Sequence, residues 1–584
     1  MSAGIFRFGP FELDSENFEL RRAGRRVKLD RTPLELLLLL VRRSTKLVTH
    51  EEAVQEVWGR DVVIEAEAAL YTAIRKVRRA LGDSPGKPRF IETVARKGYR
   101  FIAVTAPAAA PIKAAEEEGR RRIALAVLPL VNLSGHSRQD YFSDGLTEQL
   151  IFELAQFSPH ELGVIARTSM LRYKGTRKSI AQIGTELGVD YLIEGSARQE
   201  RGRVRITLQL IRASDQTHVW AETFDRPLGH ILRLQAQVAR IVAEKIRVSL
   251  TAASVPTAAV DPEVYDLYLR GRYLAEQRTA PAIRRAIRRF ESALSRNSRY
   301  APAWAGLAKC YATLAITSDF RPRDCFPQAR NASEKALTLD QKLPDAHVAR
   351  GIVHFWFDWD WERATREFQA ACLLNPSDSS ARMFLAHVHS NLGRHVEAIP
   401  EIQMARRLDP LSPIVNTHEG HFLYNARRYD EAIEPLERVI ELSPHFWVAR
   451  IVLGKILGVR GRFGRALAEF LKAERYSLGN TEATGLRGYT LAVSGNASQA
   501  RRILQELEVR ARRHYVPPVH RALVLLGLGR SREVIESLQA AVEERDVRLS
   551  FLAVEPRWDP LRGVPDFERI CRRVGLGAGV SQGG

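Results

Sequence analysis

The apolar positions of the first hundred residues change period along the chain. Phe6, Phe8, Phe11 and Leu13 alternate with other residues around Gly9-Pro10, and Val27-Lys28-Leu29 repeats the pattern. Both predict short strands. A nearly unbroken apolar run then follows Thr32-Pro33-Leu34-Glu35. It predicts a helix buried on most sides, capped by Thr32, with Pro33 at its first position and Glu35 near the positive end of its dipole. A second helix is predicted over 49–58, with Thr49 as cap, Glu52 three residues on, and Val54, Val57 and Trp58 as its apolar stripe. A third is predicted over 66–81, ending at Gly82. Its Leu70, Ile74, Val77 and Leu81 share one face, while Thr72, Arg75, Lys76 and Arg79 share the other. A hairpin follows, with strands over 89–94 and 99–104 and Ala95-Arg96-Lys97-Gly98 as the turn. Gly98 can take positive φ there.

Further on, a strand is predicted over 123–130, a helix over 141–155 and a short strand over 161–166. A helix then starts at Ser179 and ends near Gly188. Strands over 191–198, 204–211 and 217–224 and a helix over 227–250 complete the segment. Strands that alternate with helices and then pair directly predict an α/β domain with an antiparallel part. The carboxy-terminal half has a period of its own. Pro376, Pro410 and Pro444 are spaced by 34, as are Ala364, Ala398, Ala432 and Ala466. Phe368, Ile402, Leu436 and Phe470 follow each alanine by four residues, and Gly420 and Gly454 keep the same period. Each unit reads as two helices that bury their apolar faces only by stacking, which makes a solenoid.

Two breaks divide these patterns. Thr105 to Lys113 reads TAPAAAPIK before an acidic run, and a softer break reads AASVPTAAVDP. The predicted organisation is a domain at 1–105, a linker at 106–120, an α/β domain at 121–250, a linker at 251–261, an all-α solenoid at 262–570 with degenerate last repeats and a cap, and a tail at 571–584.

Composition adds one strong hint. The chain has 584 residues, 45% of them apolar and 27% charged, with a formal net charge of +20. It can bury cores, and it calls for an anionic partner such as nucleic acid. The basic excess is spread along the chain, so only placement can locate a site. The four cysteines are too few and scattered for a disulfide framework or a structural zinc site, which points to a reducing compartment. No secretory signal or membrane-length apolar window occurs, so a cytoplasmic location and no membrane partner are expected.

The helix at 66–81 is the best-placed basic feature. One face can be buried while Thr72, Arg75, Lys76 and Arg79 meet phosphates and base edges in a major groove. Arg96 and Lys97 at the hairpin tip can reach sugar-phosphate or a minor groove. The alternative is a solvated surface helix. In the middle segment, Asp140, Asp144, Glu148 and Glu153 could do acid/base or metal work, or simply form a solvated face. Arg167, Arg172, Lys174, Arg177 and Lys178 form a basic cluster that could hold an anion or a partner. No phosphate-loop, dinucleotide or hydrolase motif occurs. His387, His389, His418 and His421 invite a metal reading, but their spacing favours inter-helix or surface histidines. Phe355, Trp356, Phe357, Trp359 and Trp361 divide between core and an exposed interaction patch. No cofactor, metal site or catalytic residue is expected.

Three resemblances follow from these residues. Residues 5–104 resemble the winged helix-turn-helix effector domain of the OmpR/PhoB-type response regulators. The strings carrying the likeness are Thr32-Pro33-Leu34-Glu35-Leu36-Leu37, Ile74-Arg75-Lys76-Val77-Arg78-Arg79-Ala80-Leu81-Gly82-Asp83, and Arg89 through Phe101. The resemblance implies DNA binding, with the 66–81 helix in the major groove and the 95–98 wing on the backbone or minor groove. No receiver domain is expected ahead of the segment, so the resemblance is expected to supply no phosphoacceptor aspartate. Residues 123–135, 141–148, 164–169, 187–196 and 218–222 resemble the TolB-amino-terminal-like domain, which brings no catalytic residues with it. The 34-residue period is similar to the tetratricopeptide repeat. The expected function is a one-component, sequence-specific regulator of transcription that binds double-stranded DNA. RNA polymerase, an unknown protein or ligand at the solenoid, and a second copy of the chain are its open partners. The alternatives are an interaction scaffold with a repurposed winged helix, and a nucleotide-binding or enzymatic middle domain.

Overall fold

The computed structural model describes residues 5–8, 11–15, 18–22, 25–43, 47–58, 66–84, 88–94, 97–102, 106–107, 122–134, 139–157, 161–246, 260–317 and 319–577. Contacts divide the chain into two compact units, 1–121 and 122–584.

The first unit is a winged helix. Strands β1 (Ile5–Phe8), β2 (Phe11–Asp14), β3 (Glu19–Arg22) and β4 (Arg25–Val27) form an antiparallel meander. Helices α1 (Arg31–Arg42), α2 (His50–Trp58) and α3 (Ala66–Leu81) follow, with strand β5 (Leu47–Thr49) between the first two. Strands β6 (Ile91–Val94) and β7 (Gly98–Phe101) form the wing and pair with β5 in the order β5-β7-β6. Phe8, Phe11 and Leu13 are buried as alternation requires, and the rings of Phe8, Phe11, Phe90 and Phe101 pack together at 5.0–5.9 Å.

Two details differ from expectation. Asp30, not Thr32, occupies the cap position of α1, and its carbonyl accepts from the Leu34 N–H at 3.1 Å. Pro33 is then the third helical residue, still in the first turn, where no N–H is required. The expected linker also contributes to the fold. Ala106 and Pro107 form β8, which pairs with Arg7 and Phe6 at the edge of the meander. The capping box of α2 is as predicted: Glu52 N–H donates to Thr49 Oγ1 at 3.1 Å and Thr49 N–H donates to the Glu52 carboxylate at 2.9 Å.

The second unit begins with a mixed sheet. Strands β9 (Ile123–Val127), β11 (Leu162–Val164) and β12 (Tyr191–Glu200) pair in parallel. The short β10 (Val131–Asn132) also lies parallel to β12, while β13 (Arg203–Arg212) and β14 (His218–Pro227) extend the sheet antiparallel. This is the small α/β module with its antiparallel half.

An all-helical tetratricopeptide-repeat solenoid follows. Ala364, Ala398, Ala432 and Ala466 are fully buried, as are Phe368, Ile402, Leu436 and Phe470. The glycines show why the period exists. A Cβ on Gly351 would lie 2.6 Å from the Phe368 ring, one on Gly420 2.7 Å from Leu436, and one on Gly454 2.5 Å from the Phe470 ring. One earlier ring, Phe290, is clamped by both Gly271 and Gly306.

The last residues turn back onto earlier repeats. Trp361 Nε1–H donates to the Val574 carbonyl at 3.2 Å, and Gly575 crosses where a Cβ would meet Trp361 Nε1 at 2.9 Å. Arg545 stacks over the Trp359 ring at 4.4 Å and donates to the Phe357 carbonyl. Arg427 holds Asp559 at 2.9 Å and the Val554 carbonyl at 2.8 Å. Phe355, Trp356, Trp359 and Trp361 are therefore core. The helix Pro565–Arg573 runs past the expected start of the tail, and Val574 and Leu576 are buried behind it.

The α/β module docks on the solenoid through the short helix Arg167–Met170. Ser169 donates to the Asp409 carboxylate from its backbone N–H at 3.0 Å and its hydroxyl at 2.6 Å. The Ala166 N–H donates to the Leu408 carbonyl at 2.8 Å. Burial pushes the Asp409 carboxyl up to about 6, against the lowering effect of the Ser169 hydrogen bonds. Its protonated form is favoured by folding, so the contribution is present below about pH 4 and lost as pH rises through about 6. A neutral Asp409→Asn variant lacks this dependence. The stability of wild type relative to Asp409→Asn should therefore fall by about 2–3 kcal/mol between pH 4 and pH 7, measured by denaturant unfolding across that range.

Candidate nucleic-acid interface

The interface is built on α3, whose two faces separate cleanly. Leu70, Ala73, Ile74, Val77 and Leu81 are buried against the core of the first unit. Tyr71, Thr72, Arg75, Lys76 and Arg79 are exposed. Every predicted residue of this helix is thus on the open face, and Tyr71 joins them. Tyr71 is one turn before Arg75, a spacing that could have marked it in the sequence. It is 54% exposed, and its ring meets that of His50 edge-on at 5.7 Å. His50 also packs on Tyr99 of the wing.

The neighbouring Arg78 has a different role. It is buried, and its guanidinium donates to the Ile91 carbonyl at 2.9 Å and to Thr93 Oγ1 at 2.8 Å. It ties α3 to β6 of the wing. Asp83, just past the helix, accepts from the backbone N–H groups of Arg89 at 2.7 Å and Ile91 at 2.9 Å. Gly98 enters β7 where a Cβ would lie 2.0 Å from the Val48 carbonyl oxygen, at φ +152°. Close approach of β5, as well as turn geometry, requires glycine there.

The open face is electrostatically available. Lys76 Nζ pairs with Asp30 at 2.6 Å, and both side chains are about half exposed or more. Lys76 holds the Asp30 carboxyl below its usual value. An exposed pair of this kind is weak and screened by salt, so a phosphate can compete for the lysine. Lys97 is exposed at the wing, and its carbonyl accepts from the His50 N–H at 3.3 Å. Arg96 lies outside the described residues.

The second basic cluster is largely engaged within the protein. Arg167 is nearly buried and pairs with Glu148 and Glu276. Arg172 donates to the Leu442 carbonyl at 2.9 Å and to Ser443 Oγ at 3.2 Å. Lys174 pairs with Asp144 and Asp140, and Lys178 with Glu186. Only Arg177 is left exposed with no side-chain partner among the described residues. The cluster fastens the α/β module internally and to the solenoid. The same contacts occupy Asp140, Asp144 and Glu148, the last also held by Arg272. Glu153 is hydrogen-bonded by Gln149. His387, His418 and His421 do come together, with ring centroids 5.0–6.4 Å apart, but among the described residues no group of three or more His, Cys, Asp or Glu is arranged to hold a metal ion.

Comparison with known proteins finds relatives for each segment of the chain. Residues 24–101 match the family "Transcriptional regulatory protein, C terminal". Residues 121–241 match "HilA/YgeH-like transcriptional regulator, second domain", and residues 359–413 and 419–479 match "Tetratricopeptide repeat". The chain is built as a DNA-binding transcriptional regulator with tetratricopeptide repeats. Transcriptional regulator HilA of Salmonella typhi is 22% identical over 441 residues, 73% of this chain and 75% of HilA. A Rhizobium meliloti protein named "Putative adenylate cyclase 3" is 36% identical over 237 residues, and the match spans 40% of each chain. The crystal structure of the Klebsiella pneumoniae RstA DNA-binding domain in complex with RstA box is 24% identical, covering 17% of this chain and 96% of that one, with a TM-score of 0.16. The middle segment of the regulator thus matches the HilA/YgeH second domain, where its sequence suggested a TolB-amino-terminal-like one. No helix among the described residues is long and apolar enough to cross a membrane.

Adjacent arginines should respond oppositely to substitution. Arg78→Ala removes two buried donors and should destabilise the regulator's first unit by about 1–3 kcal/mol in thermal or denaturant unfolding. Arg79→Ala should leave stability within about 0.5 kcal/mol.

Proposed function

We propose that the chain is a one-component, sequence-specific regulator that binds double-stranded DNA. The observation that carries this reading is the single exposed face of α3, on which Tyr71, Thr72, Arg75, Lys76 and Arg79 stand while the opposite face is buried. In this reading α3 enters a major groove, where arginine reads guanine and Thr72 and Tyr71 contact base edges or sugar-phosphate. Arg96 and Lys97 contact the backbone or the adjacent minor groove. The reading head spans 1–105, the α/β module 121–250 and the solenoid 262–570, and the middle module is grouped with TolB-amino-terminal-like domains. The regulator acts by binding and not by catalysis, in the cytoplasm. Its solenoid offers surface to a protein, a ligand or a second copy, with RNA polymerase as one partner at the promoter.

A selection from a random duplex library tests the reading. Full-length protein should enrich a motif, and the Arg75→Ala/Lys76→Ala/Arg79→Ala triple should not. On the enriched duplex, the triple should also flatten the dependence of log K on log salt by up to about 3, since each lost phosphate contact removes about 0.9 from the slope. Enrichment by the triple equal to that of wild type would overturn the assignment of α3.

A further inference from the structure

Repeat solenoids commonly take peptides along their inner face, but here the chain's own last residues lie against that face. Phe551 packs on His387 and His421 at 5.4 and 5.2 Å, and Glu555 is hydrogen-bonded to Tyr424. The Asn480 side chain donates to the Thr317 carbonyl at 3.2 Å, which joins early and late repeats. What is left between them is a cavity of about 750 Å³, a volume suited to a small molecule.

The cavity has an apolar body and one unmatched charge. Ile352, Trp356, Met383, Phe384, Ile451 and Leu523 form apolar wall. The charged groups on the wall are nearly all paired. Lys309 meets Asp345, Lys455 lies between Glu482 and Glu555, Arg548 meets Glu482, and Arg557 meets Glu555. Arg510 lies beside Asp319, and Glu276 is held by Arg167. Arg278 is the exception: among the described residues its guanidinium has no hydrogen bond and no ion pair. Its side chain is accessible, yet protein surrounds it, so it projects into the cavity. Burial pushes its pKa down, partly offset by Glu276. It sits in a left-handed turn at φ +48°, a conformation costly for arginine.

Some neutral polar groups of the wall are unmatched as well. Among the described residues, both ring nitrogens of the buried His387, Nε2 of His421 and Nε1 of Trp356 have no hydrogen-bond partner. Burial pushes the His418 imidazole down to about 4, against its hydrogen bond to the Ile414 carbonyl, and the charge of Arg278 depresses it further. Burial thus keeps the His387, His418 and His421 imidazoles uncharged near neutrality, so they add no competing charge to the wall.

We infer that this cavity is a binding site for an amphipathic organic anion, its single carboxylate, sulfonate or phosphate paired with Arg278 and its apolar body against Trp356, Met383 and Phe384. The inference stands apart from DNA recognition, and its test contains no DNA.

Two fluorescent probes with the same body separate charge from shape: 8-anilinonaphthalene-1-sulfonate, and neutral N-phenyl-1-naphthylamine. Each is titrated into the full-length protein. The sulfonate should bind one saturable site and bind it about tenfold or more weakly in Arg278→Met, while the neutral probe is unchanged. Arg278→Lys should stay within about threefold of wild type. Met383→Trp, which fills the cavity, should abolish binding of both probes at that site while leaving the thermal transition in place. Equal sulfonate affinity in wild type and Arg278→Met would overturn the proposal, as would saturable sulfonate binding that survives Met383→Trp. If Arg278→Met fails to fold, the Arg278→Lys and Met383→Trp results decide: a tenfold loss in Arg278→Lys, or binding retained in Met383→Trp, would also overturn it.

Discussion

The second unit depends on one close approach repeated along the solenoid. A glycine on the first helix of a repeat faces a large side chain on the second, and no Cβ fits between them. The pairs Gly351–Phe368, Gly420–Leu436 and Gly454–Phe470 fix how near those helices lie. That distance is passed on when repeats stack, because each repeat is held only by its neighbours. The winding of the stack then brings residues near 317–323 within reach of residues 480–543, and residues 354–361 within reach of 545–575. The cavity and the seat for the α/β module at Asp409 both inherit their shape from this packing.

Local contacts were legible in the sequence and distant ones were not. The two faces of α3 follow from a 3.6-residue period that burial directly enforces. The Thr49–Glu52 box spans three residues, and the 34-residue period records contacts between adjacent helices. By contrast, the cap of α1 is set by where the chain leaves β4, and Thr32 is as good a capping residue as Asp30. The basic cluster around Tyr173 reads as an anion site in part because some of its partners lie far along the chain. Ser169 and Asp409 are 240 positions apart, and Arg172 meets Leu442 across 270. The return of the last residues onto earlier repeats has no period and leaves no pattern to read. Arg278 is likewise an ordinary inter-helix residue until walls drawn from repeats all along the solenoid surround it.

Charge behaves in the same way. The excess of +20 names a class of partner, but most of the arginines and lysines singled out beyond the first unit are bound to carboxylates or carbonyls. Burial of Glu555 opposes its ionisation, yet Arg557 and Lys455 outweigh that and hold it ionised. Networks of this kind consume basic residues that a count would assign to nucleic acid. On α3 the exposed cations stand on a face where, among the described residues, the one ion pair is that of Lys76 with Asp30. Placement therefore discriminates where composition cannot.

The return of residues 545–576 also sets an order of assembly during synthesis. Domains form as they emerge from the ribosome, amino terminus first. The winged helix has all its described strands once Pro107 is out. The solenoid interior has its final wall only after Val574 and Gly575 have reached Trp361. A nascent chain stopped by a late nonsense codon would thus carry a finished reading head and an unsealed spiral, with Trp361 and the ring of Trp359 uncovered. Such a truncated product would present to the cell's quality-control machinery an aromatic surface that the complete polypeptide never shows.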